Sequence, residues 1–166
     1  MRPPRQHGNL HHLTTYGRSR AVRLPECDYA GDEIIHVTVC ARCGEPFRDH
    51  RLAQLVCESV EFYCRKLNYR LFGYCLMPDH LHVLLSPAGS GTPLGKWLMV
   101  LKNYTGRMLG DGGGTPPLWQ RSAYDHVCRE GETTEGVLAY IVNNAVHRGY
   151  VDRWQEWPWT RVFIEM

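Results

Sequence analysis

Residues 69–87 read YRLFGYCLMPDHLHVLLSP, and this stretch predicts a β-hairpin. Aromatic and apolar residues fill segments 69–76 and 80–85, as is usual for strands that pack on a core. The corner at 77–79 is short, so the two strands are expected to run antiparallel, and Ser86-Pro87 ends the second of them. The chain therefore contains at least one antiparallel strand pair.

The second predicted strand carries two histidines on one face. Because alternate residues of a strand share a face, His80 and His82 point to the same side. The other side carries the apolar residues that we expect to face the core, Leu81, Val83 and Leu85. Two neighbouring imidazoles can bind a divalent cation. The spacing alone favours the alternative of two surface histidines on the solvent-facing side of a half-buried sheet.

The remaining elements follow from the periodicity of apolar residues. A strand is predicted at 33–40, and helices are predicted at 49–68, 94–109 and 133–147. The mixed segment 118–129 is interpreted as a fourth strand with polar side chains. Strands interspersed with helices predict an α+β fold with a mostly antiparallel sheet.

Composition places the chain among globular proteins. Its 166 residues suit one domain, assigned to 33–166, and no apolar run is long enough to span a membrane. The first 32 residues have no apolar block, so no secretory signal is predicted. Seven cysteines at irregular spacing favour free thiols in a reducing compartment. We therefore expect a cytoplasmic protein.

The N-terminal segment 1–32 is basic, since residues 1–23 contain five arginines and no acidic residue. A basic segment with proline and glycine can be a flexible arm that lies on phosphates. It can equally be a solvated, disordered terminus.

The third predicted helix carries a second candidate pair. Tyr140 and Asn144 lie one turn apart, roughly opposite the apolar stripe of Leu138, Ile141, Val142 and Ala145. A tyrosine there could attack a phosphodiester, and an asparagine oxygen could bind the same cation as the histidines. The alternative is a surface tyrosine beside a solvent-facing asparagine. Tyr104 is a rival nucleophile, but its one-turn neighbour Met108 cannot bind a hard cation.

A different kind of site is suggested by Cys40 and Cys43, which form a Cys-x-x-Cys pair. Such a pair is half of a structural zinc site. The missing ligands would have to come from Cys27, Cys57, Cys64 or the early histidines.

Three ordered segments, MPDHLHVLL, PLWQRSAYDHVCR and YIVNNAVHRGYV, resemble the REP-associated tyrosine transposases of the IS200-like group. These belong to the HUH superfamily of single-strand transposases. The resemblance covers about residues 33–160. It implies a ferredoxin-like or RRM-like fold, with a four- to five-stranded sheet and helices on one face.

The resemblance also implies a role for each site residue. His80, His82 and Asn144 correspond to ligands of Mg²⁺ or Mn²⁺, and Tyr140 corresponds to the nucleophile. Relatives cleave single-stranded DNA near imperfect hairpins and hold the 5′ phosphate on tyrosine. The chain departs from the pattern at Ala145, where the family usually has proline.

Further expectations concern partners and DNA contacts. A homodimer with shared sites and a monomer are both open, as is a catalytically inactive module that only binds structured single strands. The protein is expected to associate with the nucleoid in the bacterial cytoplasm. The candidate DNA-contacting residues are Lys102, Arg107, Trp119, Arg121, His126 and Arg129.

Overall fold

The computed structural model describes residues 31–109, 117–129 and 131–164. Its sheet has five antiparallel strands in the order β4-β1-β3-β2-β5. The strands are β1 (Ile35–Cys40), β2 (Arg70–Leu76), β3 (His80–Ser86), β4 (Tyr124–Val127) and β5 (Thr160–Val162). The helices are α1 (His50–Lys66), α2 (Leu94–Met108), α3 (Thr134–Val142) and α4 (Asn144–His147). The predicted arm lies almost wholly outside the described residues.

The predicted hairpin is confirmed as β2 and β3, which form the centre of the sheet together with β1. The predicted α+β class with a mostly antiparallel sheet is confirmed as well. The predicted strand at 118–129 was too long, because only Tyr124–Val127 pairs with β1, while Trp119 forms an isolated bridge with Ala41. The fifth strand comes from the aromatic tail and pairs with β2. Within the described ranges, no helix is long and apolar enough to cross a membrane.

Helices cover both faces of the sheet, so the expectation of helices on one face is wrong for α3. One face packs under α1 and α2 with Leu81, Val83 and Leu85 at its centre, and these three side chains are fully buried. On the opposite face, Leu84 packs against the apolar stripe of α3, which consists of Leu138, Ile141, Val142 and Ala145. The face that carries His80 and His82 is therefore partly covered, not open to solvent.

Gly73 in β2 allows α3 and β5 to approach the sheet this closely. A Cβ at this position would lie 2.6 Å from Leu138 Cδ1 and 2.8 Å from the carbonyl oxygen of Arg161. The second contact is with backbone, which a side-chain rotation cannot relieve. The lack of a side chain at Gly73 thus allows α3 to pack closely on the sheet that carries the histidines.

Replacing Gly73 by Ala is expected to lower the free energy of unfolding by about 1–3 kcal/mol, because the added methyl group overpacks the layer between β2 and α3. Urea denaturation measures the change. Gly106→Ala is the matched control, since a Cβ at Gly106 in α2 meets nothing within 4 Å. There the same substitution is expected to stabilise by about 0.5–1 kcal/mol through helix propensity. Equal effects at the two positions would contradict the close-approach argument.

Candidate active site

The polar side chains of the site come from two neighbouring strands. In the register of β1 and β3, Thr38 is paired with His82, and His36 lies two residues away on the same side of β1. His80 and His82 share the corresponding side of β3. Strands β1 and β3 therefore gather three histidines and one hydroxyl on the face that α3 partly covers.

His80 and His82 turn their Nε2 atoms toward each other at a distance of 3.0 Å. Neighbouring ligands of an octahedral ion at about 2.1 Å lie about 3.0 Å apart, because they subtend a right angle. The two nitrogens therefore have the separation of adjacent metal ligands. His82 is only 4% exposed, which rules out the alternative of two solvent-facing surface histidines.

Each histidine of this pair is held through its other ring nitrogen. His80 donates from Nδ1 to the carboxylate of Asp79, a hydrogen bond that also lowers the pKa of Asp79. Nδ1 of His82 lies 3.0 Å from Oγ1 of Thr38 and 3.1 Å from Nε2 of His36. Such partners fix the orientation of metal-binding imidazoles.

Burial keeps the inner two histidines uncharged. It lowers the pKa of His82 well below its usual value, and the neighbouring His80 acts in the same direction. Burial likewise lowers the pKa of His36 to about 4, with a smaller effect from His126. At neutral pH both rings therefore carry a lone pair that can bind a cation or accept a hydrogen bond.

Tyr140 lies beside the histidines, not on the far side of its helix. Its ring centroid is 6.5 Å from that of His82 and 6.3 Å from that of His36, and it also packs at the margin of the α3 core. The expected position opposite the apolar stripe is therefore corrected: the side chain reaches from the edge of α3 to the sheet face. The structure brings Tyr140, His80 and His82 of one chain together.

The helix that carries Tyr140 is interrupted at Asn143, which separates α3 from α4. Nδ2 of Asn143 donates to the carbonyl of Ala139, and Nδ2 of Asn144 donates to the carbonyls of Tyr140 and Ile141. Asparagine side chains that bind their own helix compete with its backbone hydrogen bonds. With Nδ2 of Asn144 engaged in this way, Oδ1 is its remaining atom for a cation.

Three polar residues of the site were not singled out from the sequence. His36 and Thr38 could be placed there only once β1 was known to lie beside β3. Arg148 follows α4, is exposed, and its charge contributes to lowering the pKa of both Asp79 and His82. Arg148 lies one helical turn after Asn144, and this spacing could have placed it near the site from the sequence alone. Arg148 therefore adds positive charge next to the histidine pair.

Two predicted DNA contacts have structural roles instead. Trp119 is 4% exposed, stacks near Phe47 and donates from Nε1 to Thr105, so its ring has no face for a base. Lys102 donates to the carbonyls of Gln120 and Ser122 at 2.9 and 3.1 Å, and burial lowers its pKa. Its ammonium group holds the segment before β4 in place.

Lys102→Met is expected to destabilise the fold by about 1–3 kcal/mol, because the carbonyls of residues 120 and 122 lose a charged donor. The salt dependence of oligonucleotide binding should stay unchanged, since no phosphate contact is lost. Urea denaturation and binding measured at several salt concentrations test both parts. The exposed Arg121 provides the control, because Arg121→Gln should leave stability unaltered. A reduced salt slope with normal stability for Lys102→Met would restore the DNA-contact interpretation.

The other predicted DNA contacts lie at or near the surface. Arg107, Arg121 and Arg129 are exposed, and Arg107 donates to the carbonyl of Asn103 in its own helix. His126 in β4 is half-buried and its Nε2 lies 2.8 Å from the Glu132 carboxylate. Their contact with DNA remains a prediction.

The zinc alternative finds no support among the described residues. Cys43 is exposed and Cys40 is partly buried, both as free thiols. Within residues 31–109, 117–129 and 131–164, no three His, Cys, Asp or Glu side chains are arranged to hold a metal ion. Cys27 lies outside these ranges. A cation at the histidine pair would accordingly need a ligand of another kind, such as the amide of Asn144.

The fold and this site define an α+β domain in which an antiparallel sheet presents a histidine pair to a helical tyrosine. The family model described as Transposase IS200 like matches residues 32–144. The chain therefore belongs to the IS200-like transposase family, as the sequence resemblance predicted. The matched segment contains both histidines, Tyr140 and Asn144.

Two similar proteins carry more specific names. A Haemophilus influenzae protein named as a REP-associated tyrosine transposase is 24% identical over 111 residues, which span 58% of this chain and 61% of that protein. A solved structure of a REP-associated tyrosine transposase bound to a REP hairpin aligns with a TM-score of 0.61 at 18% identity. The alignment covers 78% of this chain and 76% of that one. The likeness shows a shared fold.

Proposed function

We propose that this chain is a metal-dependent endonuclease and strand transferase that acts on single-stranded DNA at REP-like hairpins. The observation that carries the proposal is the approach of Tyr140 to His82, with 6.5 Å between ring centroids. A tyrosine beside two converging histidine nitrogens combines a nucleophile with a candidate cation site. Family membership and the hairpin-bound structural neighbour support the choice of DNA as substrate.

The cation would be Mg²⁺ or Mn²⁺, held by Nε2 of His80, Nε2 of His82 and Oδ1 of Asn144. When bound, it would neutralise charge on the scissile phosphate and polarise its phosphorus–oxygen bonds. Nδ1 of each histidine has a hydrogen-bond partner of its own, so both Nε2 atoms can turn their lone pairs to the cation. Arg148 would add positive charge on the exposed side, where the phosphate enters.

Tyr140 would act as the nucleophile. Its Oη attacks phosphorus and loses its proton, the bond from phosphorus to the 3′ oxygen breaks, and that oxygen leaves as a 3′-OH after taking up a proton. The 5′ phosphate stays on Tyr140 as a phosphodiester. A second 3′-OH can then attack the phosphotyrosine and join the strands, so no external energy source is required.

The reaction would occur within one chain, because Tyr140 and the histidine pair of the same chain lie together. Mixing a His80→Ala chain with a Tyr140→Phe chain is therefore expected to restore no activity. Adduct formation on a labelled hairpin oligonucleotide measures this. Recovery of adduct in the mixture would show instead that two chains share sites in a homodimer.

The test of the proposed function is adduct formation by the wild-type chain. The protein is incubated with a 3′-labelled REP-like hairpin with a single-stranded flank, with Mn²⁺ or with EDTA, and the adducted peptide is identified by mass. A Mn²⁺-dependent adduct on Tyr140 supports the proposal. Hairpin binding without any adduct would indicate a catalytically inactive binding module. An adduct that forms in EDTA would show that the reaction needs no metal ion.

A further inference from the structure

The side of His82 that faces away from His80 is closed by two residues of β1. Its Nδ1 lies 3.0 Å from Oγ1 of Thr38 and 3.1 Å from Nε2 of His36. His36 and His82 have ring centroids 5.2 Å apart, and His36 also lies against Tyr140. These contacts are part-buried on the sheet face beside Tyr140 of α3.

We infer that His36, assisted by Thr38, is a positioning residue that accepts the Nδ1 proton of His82 when a cation is bound and so leaves the Nε2 lone pair of His82 free for that cation. The inference rests on the proposed function, because it concerns the tautomer of a proposed metal ligand. Nε2 of His36 lies against Nδ1 of His82, on the side of that ring away from His80. We therefore do not count His36 among the proposed metal ligands.

A cation between His80 and His82 requires this tautomer, because both Nε2 atoms must then offer a lone pair. His80 donates from Nδ1 to Asp79, so its Nε2 carries a lone pair. A neutral His82 that also offers a lone pair at Nε2 must carry its proton on Nδ1. That proton needs an acceptor, and Nε2 of His36 and Oγ1 of Thr38 are the two acceptors within reach. His36 must then keep its own proton on Nδ1.

Without these acceptors the tautomer that binds a cation becomes less favourable. A buried Nδ1–H with no partner costs about 1–3 kcal/mol. His82 would avoid this cost by moving the proton to Nε2 and donating it to His80 across the 3.0 Å gap. That hydrogen bond would occupy both lone pairs that a cation requires. Loss of a comparable outer partner commonly weakens metal binding by about 10–100-fold.

The experiment measures Mn²⁺ binding by the full chain through the electron paramagnetic resonance signal of the free ion. His36→Leu is expected to weaken binding about 10–100-fold, whereas His36→Gln, whose Oε1 can replace Nε2 as an acceptor, should retain most of the affinity. Thr38→Val removes the other acceptor with little change in volume and should weaken binding less. His50→Leu is the control, because His50 is exposed and contacts Trp159 away from the site.

A measurement on the wild type does not depend on any variant folding. In the Mg²⁺-loaded protein, two-bond proton–nitrogen correlations should show His82 protonated at Nδ1. Two results would overturn the inference and leave the proposed function intact. One is a His82 ring protonated at Nε2, and the other is equal Mn²⁺ affinity of the wild type and His36→Leu. A wild-type chain that binds no Mn²⁺ would overturn the proposed metal site, and with it the role of His36.

Discussion

Replacing Tyr140 by Phe is expected to abolish the covalent protein–DNA adduct, lowering its rate of formation by about a thousandfold or more. The substitution removes the attacking oxygen and keeps the ring that packs at the margin of the α3 core. Folding stability should change by no more than about 1 kcal/mol, and Mn²⁺ binding should persist because the histidines are untouched. Denaturing gels of the labelled hairpin measure the adduct, and thermal unfolding measures stability.

Tyr104→Phe provides the matched control for this prediction. Tyr104 lies on α2, is 38% exposed and packs edge-on against Tyr63, so the substitution removes the other candidate hydroxyl without disturbing the sheet. Full adduct formation is expected from Tyr104→Phe. An adduct that forms with Tyr140→Phe but not with Tyr104→Phe would show that the nucleophile is Tyr104 on α2. It would also separate the nucleophile from the histidine pair.

The sequence was sufficient to predict the hairpin because both strands and their corner lie within one short segment. It was also sufficient for α1, which begins after the N-cap Asp49, whose side chain accepts a hydrogen bond from the backbone of Leu52. These features depend on residues close together in the chain. Helix periodicity likewise predicted α2 with only small errors at its ends.

The covered second face of the sheet was missed for a physical reason. One alternative from the sequence placed His80 and His82 on a solvent-facing side, yet Leu84 shares that side and is fully buried. A strand with apolar residues on both sides is one that is buried on both faces. Gly73, in the neighbouring strand, was a second signal, since glycine inside a strand often marks a close approach.

The partners of the site residues could not be predicted, because they depend on strand order. His36 and His82 are 46 residues apart and meet only because β1 lies next to β3. The roles of Lys102 and Trp119 also depend on contacts between distant parts of the chain. Their residue types suggested DNA contacts, and only the packing of α2 against the segment before β4 shows that they are structural.

The two histidines of the pair are expected to differ in what their removal costs. His80 lies at the edge of the site, and its partner Asp79 is exposed, so His80→Ala leaves that carboxylate in water. His82 is buried and joined to Thr38 and His36, so His82→Ala leaves a cavity and two half-buried polar groups without this partner. Both variants should lose the adduct, whereas only His82→Ala should also lose stability, by about 2–4 kcal/mol.

Comparison of the two variants therefore separates the chemical role of the pair from its structural role. Adduct formation by His80→Ala should fall at least about a hundredfold and recover in part at high Mn²⁺, because a site with one ligand fewer binds the cation more weakly. His50→Ala is the control for loss of a histidine, since His50 is exposed and lies at the start of α1. Adduct assays over a Mn²⁺ series and urea denaturation supply the two measurements. Normal activity in a folded His80→Ala protein would mean that Nε2 of His80, 3.0 Å from Nε2 of His82, holds no catalytic cation.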